Sequence, residues 1–248
     1  MLGRVLLVFT ILSLYSFATT NNKIALLTFD DGPIKATKNI IETVREENIP
    51  VTMFFIGCQI ENFPNIYKDA INYPNILIAN HTYSHANNRY RKFYSDPFLV
   101  VEDIKKANSI VGVDNISNTS SAFLPVRLAG RNVFRLPTIT KNDNMIDTIQ
   151  REKEIVGYDD IYKEGYYIYG WDLEWAYEKN GKPILTPQEI YNSMEKIYEK
   201  KLSSKEDKVV LLMHDFMFSN NFDGKENLKT LIQLLKNGGW SFENIENY

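Results

Sequence analysis

The sequence predicts an α/β fold: a single domain built on a parallel sheet, open or closed. Two observations predict it. Short apolar runs rich in β-branched and aromatic residues alternate with segments of helical period, giving six or seven β-then-α units. The 248 residues, 44% hydrophobic and 24% charged, can bury a sizeable core, and no internal repeat or low-complexity linker divides them.

The elements follow in order. Residues 23–29 form the first strand, and 37–47 a helix with Ile40, Ile41 and Val44 on one face. Residues 51–56 are a second strand, 63–72 a helical segment and 76–79 a third strand. Asp96-Pro97 opens a helix to about residue 111 with an acidic cap and Pro at the first position. Residues 112–131 read as loop, 132–136 as a short strand, 144–156 as helix and 166–171 as strand. An excursion at 176–185 carries Lys-Asn-Gly-Lys-Pro. Thr186-Pro-Gln-Glu189 is a capping box that starts a helix to about residue 201. Residues 209–213 form a strand, and 226–236 a helix closed by Gly238-Gly239. A last short strand lies near 240–245.

The first 18 residues read as a signal peptide. Arg4 supplies the positive charge, residues 5–17 are mostly apolar, and Ser16-Phe17-Ala18 offers small residues for cleavage after Ala18. Residues 19–248 then form the exported domain, in the periplasm, outside the cell or at its envelope. No other stretch is apolar enough to span a bilayer. A net charge of −3 without a long basic run gives no reason to expect nucleic acid as partner. The one cysteine, Cys58, permits neither an intramolecular disulfide nor a cysteine zinc cluster. It reads as a small buried hydrophobe.

The chemistry concentrates at predicted strand ends, where parallel α/β folds gather their functional groups. In Thr28-Phe-Asp-Asp-Gly-Pro33 two acids stand side by side after an apolar run. Burying both costs energy unless something offsets their repulsion. The three histidines supply the means. His81 and His85 lie four apart in "NHTYSH", just past a strand, so on a helical turn both would face one cation. Two imidazoles and a carboxylate suit zinc or another divalent ion. One aspartate would then hold metal, and its neighbour would be free to take a proton. His214 follows a strand in "LLMHDF", at the same rim, and is a candidate general acid or third ligand.

TFDDGP, NHTYSH, an Arg-x-Pro segment, a Trp/Asp segment and a Leu-x-x-His segment, in this order, resemble the polysaccharide deacetylases, the NodB-homology enzymes of carbohydrate esterase family 4. The resemblance spans about residues 23–216. It implies a distorted (β/α) barrel of about seven parallel strands. It also implies metal-dependent removal of N-acetyl, sometimes O-acetyl, groups from sugars. Carried over, Asp30 is the general base, Asp31, His81 and His85 hold the metal, and His214 is the general acid. In "FRLPT", Arg135 and Pro137 match the family's third motif, with Thr138 where an aromatic usually stands and no Gly after it. Arg135 would orient Asp30, with Arg131 in "AGRNVF" a rival, and the Thr138 backbone would help bind the oxyanion. In "GWDLEWA", Asp172 would orient His214, with Glu174 the alternative, and Trp171 and Trp175 would wall the acetyl methyl.

The expected cofactor is a divalent metal, Zn2+ foremost, with Co2+, Mn2+ or Ni2+ also compatible with these ligands. The expected partner is an acetylated polysaccharide or envelope glycan. An O-acetyl esterase on the same scaffold, or a catalytically weak glycan-binding homologue, are the competing expectations.

Overall fold

Central to the sheet is β1 (Lys23–Gly32), in which only Lys23 and Asp31 escape full burial. The computed structural model describes residues 22–111 and 124–248, so the expected signal peptide lies outside the described residues. β1 pairs in parallel with β9 (Lys208–His214) on one edge. The other edge takes β10 (Trp240–Phe242) near its start and β2 (Val51–Phe55) near its end. The remaining strands are β3 (Ile76–Asn80), β4 (Leu124–Val126), β5 (Phe134–Leu136), β6 (Ile139–Lys141), β7 (Tyr166–Ile168) and β8 (Leu173–Glu174). Their order is β6-β5-β7-β4-β3-β2-β1-β9-β8, with β10 off this path.

The sheet is curled into a distorted, half-closed barrel. Phe134 of β5 and Val210 of β9 belong to one interior cluster, with Ile24, Leu26, Phe54, Leu77 and Ala79. In a flat sheet six strand spacings would separate β5 from β9 by roughly 29 Å. Side-chain alternation sorts the two faces. Ala25, Leu27 and Phe29 of β1 pack outward with α1 (Thr37–Glu47) and α8 (Gly224–Asn237), while Ile24 and Leu26 point inward. A third cluster joins α5 (Pro97–Val111) and α6 (Thr148–Lys163) to β4 and β7 through Ile104, Val126, Tyr158 and Ile168.

The expected strands and helices recur with three differences. The sheet has ten strands among the described residues rather than about seven, and β5 runs antiparallel to both β6 and β7. Residues 124–126, expected as loop, are β4. The helical segment expected at 63–72 is the second of two helices, α2 (Gly57–Asn62) and α3 (Pro64–Ile71), broken at Phe63 because the residue before Pro64 is disfavoured in α conformation. The remaining helices are the short α4 (Tyr90–Phe93) and α7 (Pro187–Glu199), which starts on the expected Thr186/Glu189 capping box. No helix among the described residues is long and apolar enough to cross a membrane.

Candidate active site

Inward-facing positions of adjacent strands converge at one mouth of the barrel. On β1 the inward set Ile24, Leu26, Thr28 ends at Asp30, whose register partner on β9 is His214. A regular strand would send Asp31 to the opposite face. Instead the β1–β2 register shifts between Asp30 and Gly32, and Asp31 adopts a left-handed φ of 73°. This bulge turns both carboxylates into the same cavity, which is one recognised use of a bulge beside a functional site.

The histidine pair is assembled by a loop, not by a helix. His81 directly follows β3, and His85 sits in a turn whose residues His85 to Asn88 all have positive φ, between 47° and 57°. The shared helical face expected from the four-residue spacing is therefore replaced by a left-handed turn. α5 anchors it. Asp103 accepts the backbone N–H groups of Tyr83 and Ser84 at 2.8 and 2.9 Å, and Asn80, held by Asn108, accepts that of Thr82. The Tyr90 ring stands edge-on to His85 at 5.9 Å.

Asp31, His81 and His85 each offer a ligand atom, and these atoms lie within 4.8 Å of one another. His81 Nδ1 donates to the Arg127 carbonyl at 2.8 Å, which leaves Nε2 facing Asp31. His85 Nε2 is 3.1 Å from Asp31 Oδ1, a buried oxygen with no hydrogen-bond donor. Burial pushes the Asp31 carboxyl up, and the two imidazoles outweigh it and hold it well below the usual carboxylate range. Burial lowers His81, and Asp30 and Asp31 together raise it. Positive charge is thus favoured among these groups. The donor set and the orphaned oxygen fit a divalent cation held by Asp31, His81 and His85.

Asp30 is held differently. Arg127, fully buried, donates from Nη1 to Asp30 Oδ1 at 2.9 Å and to Thr28 Oγ1 at 2.7 Å. Its Nε and Nη2 donate to the Tyr169 and Gly170 carbonyls. The fork fixes one Asp30 oxygen and leaves Oδ2, 3.7 Å from His81 Nε2, toward the cavity.

A cavity of about 490 Å³ joins Asp30, Asp31, His81, His85 and His214 with Glu174, Trp171, Tyr90 and Tyr177. His214 packs against the rings of Tyr177, at 4.9 Å, and Phe216, at 5.5 Å, which also touch each other, and its buried Nδ1 has no partner. Trp171 is clamped by Asn132, whose side chain donates to its carbonyl and accepts from its N–H, each at 3.0 Å. Beneath β1, Asp215 is fully buried, and burial together with the Asp31 and Asp30 charges pushes its carboxyl well above the usual range.

A strand-end acid pair, two histidines turned onto one of its members and an arginine on the other form a pattern that comparison can test. A family model described as polysaccharide deacetylase matches residues 17–151, more than half of the chain. The chain belongs to the polysaccharide deacetylase family. A peptidoglycan-N-acetylglucosamine deacetylase of Bacillus cereus is 34% identical over 113 residues, 45% of this chain and 37% of that protein. A chitin disaccharide deacetylase of Vibrio alginolyticus is 26% identical, across 98% of this chain and 75% of that protein. In fold the chain is similar to the catalytic domain of a peptidoglycan N-acetylglucosamine deacetylase from Eubacterium rectale, with TM-score 0.63, 21% identity and coverage of 90% and 89% of the two chains. It is also similar to a Streptococcus mutans CE4 esterase, with TM-score 0.64, 17% identity and coverage of 91% and 87%.

Within this family member several expected site residues stand elsewhere. Arg135 does not reach Asp30: it pairs with Asp159 and donates to the Phe134 and Lys141 carbonyls. Its rival Arg131 pairs with the buried Glu154. Pro137 and Thr138 are exposed at the turn of the β5–β6 hairpin and do not line the cavity. Asp172 points away from His214 and accepts from the Ser204 and Val210 backbone and the Tyr248 hydroxyl. Trp175 is fully buried against Phe218, with Nε1 donating to the Leu185 carbonyl, so of the two tryptophans only Trp171 faces the cavity. The reason is common to these cases. Alternation and strand ends set which side chains turn inward, and the expected loop 112–131 contains β4. Arg127, one residue past it in Leu-Pro-Val-Arg-Leu-Ala-Gly, was legible as a strand-end arginine followed by a glycine.

Proposed function

We propose that this family member is an exported, divalent-metal-dependent hydrolase that removes N-acetyl groups from a glycan. The observation that carries the reading is the division of labour between neighbouring acids, with Asp31 facing two imidazoles and Asp30 gripped by Arg127. Asp31, His81 and His85 would hold the ion, with zinc the first candidate for two nitrogens and an oxygen. Bound there, it would polarise the acetyl carbonyl and favour deprotonation of water.

The chain's own groups then act in sequence. Asp30 Oδ2 takes a proton as water attacks the carbonyl carbon, with Arg127 keeping Oδ1 and the carboxylate plane fixed. His214, the register partner of Asp30 on a strand about 4.8 Å away, gives a proton to the departing nitrogen. The C–N bond breaks, and acetate and a sugar amine leave. Glu174 lines the same cavity and is the remaining candidate for orienting His214, the alternative to Asp172. Trp171 would stack on the sugar or its acetyl group. The aromatic and amide groups beside the acids and histidines (Tyr90, Asn132, Trp171 and Tyr177) and the relatives named for peptidoglycan and chitin support an N-acetylglucosamine polymer of the envelope as substrate. The leader expected at residues 1–18 is the feature that supports export.

The test is acetate release from chitin oligomers and peptidoglycan fragments, with mass analysis of the glycan, with and without chelator. Each general acid or base typically contributes about 10²- to 10⁴-fold. Asp30→Asn and His214→Ala are therefore expected to lose turnover by that order with the ion still bound, and His81→Ala to lose the ion. Release only from O-acetylated glycans would assign the esterase activity instead. Full turnover in metal-loaded Asp30→Asn would remove Asp30 as base.

A further inference from the structure

The Asp31 bulge needs a cause, because a left-handed aspartate is not held by its own backbone preference. The structure supplies one from β9. Asp215, the residue after His214, lies fully buried against the bulge. A Cβ built on Gly32 would stand 2.2 Å from Asp215 Oδ2, so the carboxyl occupies the space that any other residue after Asp31 would fill. Its Oδ2 accepts the hydroxyl of Thr37, itself fully buried at the start of α1. Thr37 Oγ1 in turn accepts the Ile34 N–H at 2.8 Å, and the Gly32 carbonyl accepts the Ile56 N–H at 2.8 Å. The turn after Asp31 is thus pinned on both sides. Space-filling alone does not explain the choice of an acid, since Asp215 Oδ1 is buried without a partner and an apolar side chain would avoid that cost.

We propose that Asp215 is a positioning residue: braced by Thr37, its carboxyl holds the bulge that sets the Asp31 carboxylate opposite His81 and His85 for a divalent ion. The inference rests on the metal-holding role given to those three residues above. Outer groups that orient metal ligands typically change affinity by about 10- to 100-fold when removed.

Binding of Co2+ and Zn2+ to the full chain, by competition with a chromogenic chelator and by the Co2+ absorption band, tests it. Thr37→Val and Asp215→Leu are expected to weaken both ions at least about 10-fold and to alter the band. Thr37→Ser and Asp215→Asn keep the hydroxyl–oxygen contact and are expected to stay within about 2-fold of the parent. If Asp215→Leu does not fold, Thr37→Val carries the test from the other end of the brace. A folded Thr37→Val with a lowered Tm but parental affinity and spectrum would overturn the inference. An unsubstituted chain that binds neither ion would instead overturn the metal reading beneath it.

Discussion

Asp30 and Arg127 are 97 positions apart in the chain and 2.9 Å apart in the folded protein, both almost wholly buried. Because Arg127 also donates to Thr28, Tyr169 and Gly170, its guanidinium is fixed independently of Asp30 and can impose an orientation on it. A lysine cannot reproduce that fork.

Arg127→Lys is accordingly expected to lower kcat by about 10²-fold, while Arg135→Ala, which removes a partner of Asp159 at the protein's edge, stays within about 3-fold. Steady-state kinetics on the same glycan checks both, with circular dichroism to confirm folding. The reverse ranking would return the motif role to Arg135.

The Arg131–Glu154 pair is structural. Arg131 Nε and Nη2 donate to both carboxylate oxygens at 2.6 and 2.8 Å, Tyr158 donates to one of them, and the Tyr94 ring lies 4.6 Å from the guanidinium. Glu154→Ala strands a buried charge and should cost about 3–5 kcal/mol in urea unfolding. Burial raises the Glu154 carboxyl, and Arg131, Tyr158 and Gln150 outweigh it, so its folded pKa is lowered. A lowered carboxylate contributes stability above its unfolded pKa and loses it as pH falls. The gap between parent and Glu154→Ala should therefore narrow on acidification; a gap constant from pH 7 to pH 3 would refute the pairing.

Glu246 predicts the opposite slope. Partial burial in the turn Ile245–Asn247, beside the buried Ile245, pushes its carboxyl up to about 6, and its Oε1 has no partner. The folded state therefore favours the protonated form, and the group subtracts stability as pH rises through that value. Glu246→Gln should match the parent in Tm near pH 4 and exceed it at pH 7.5. Thermal melts at the two pH values decide it, and a lower Tm for the variant at pH 7.5 would refute it.

The two tryptophans separate core from cavity. Trp175→Ala is expected to cost about 3–5 kcal/mol of stability. Trp171→Ala should fold near the parent's Tm and raise KM for the glycan more than it lowers kcat. A Trp171 variant with unchanged KM would remove the indole from the binding surface.

By itself the sequence determined the α/β class, most helices and strands, and the residues at the strand ends: Asp30, Asp31, His81, His85 and His214. Those follow from local rules, since periodicity, caps and the position of a polar residue after an apolar run are written in neighbouring residues. Tertiary structure decided what no neighbour encodes. The curl of the sheet chose Arg127 over Arg135, turned Asp172 toward Ser204 and Val210, and sent Trp175 into the core. The bulge at Asp31 and the left-handed turn at His85 depend on Asp215, Thr37 and Asp103, reached only when distant strands and helices meet. A contact across 97 or 178 positions is set by how the sheet closes, because a side chain's partner is whatever the packed backbone brings within bonding distance.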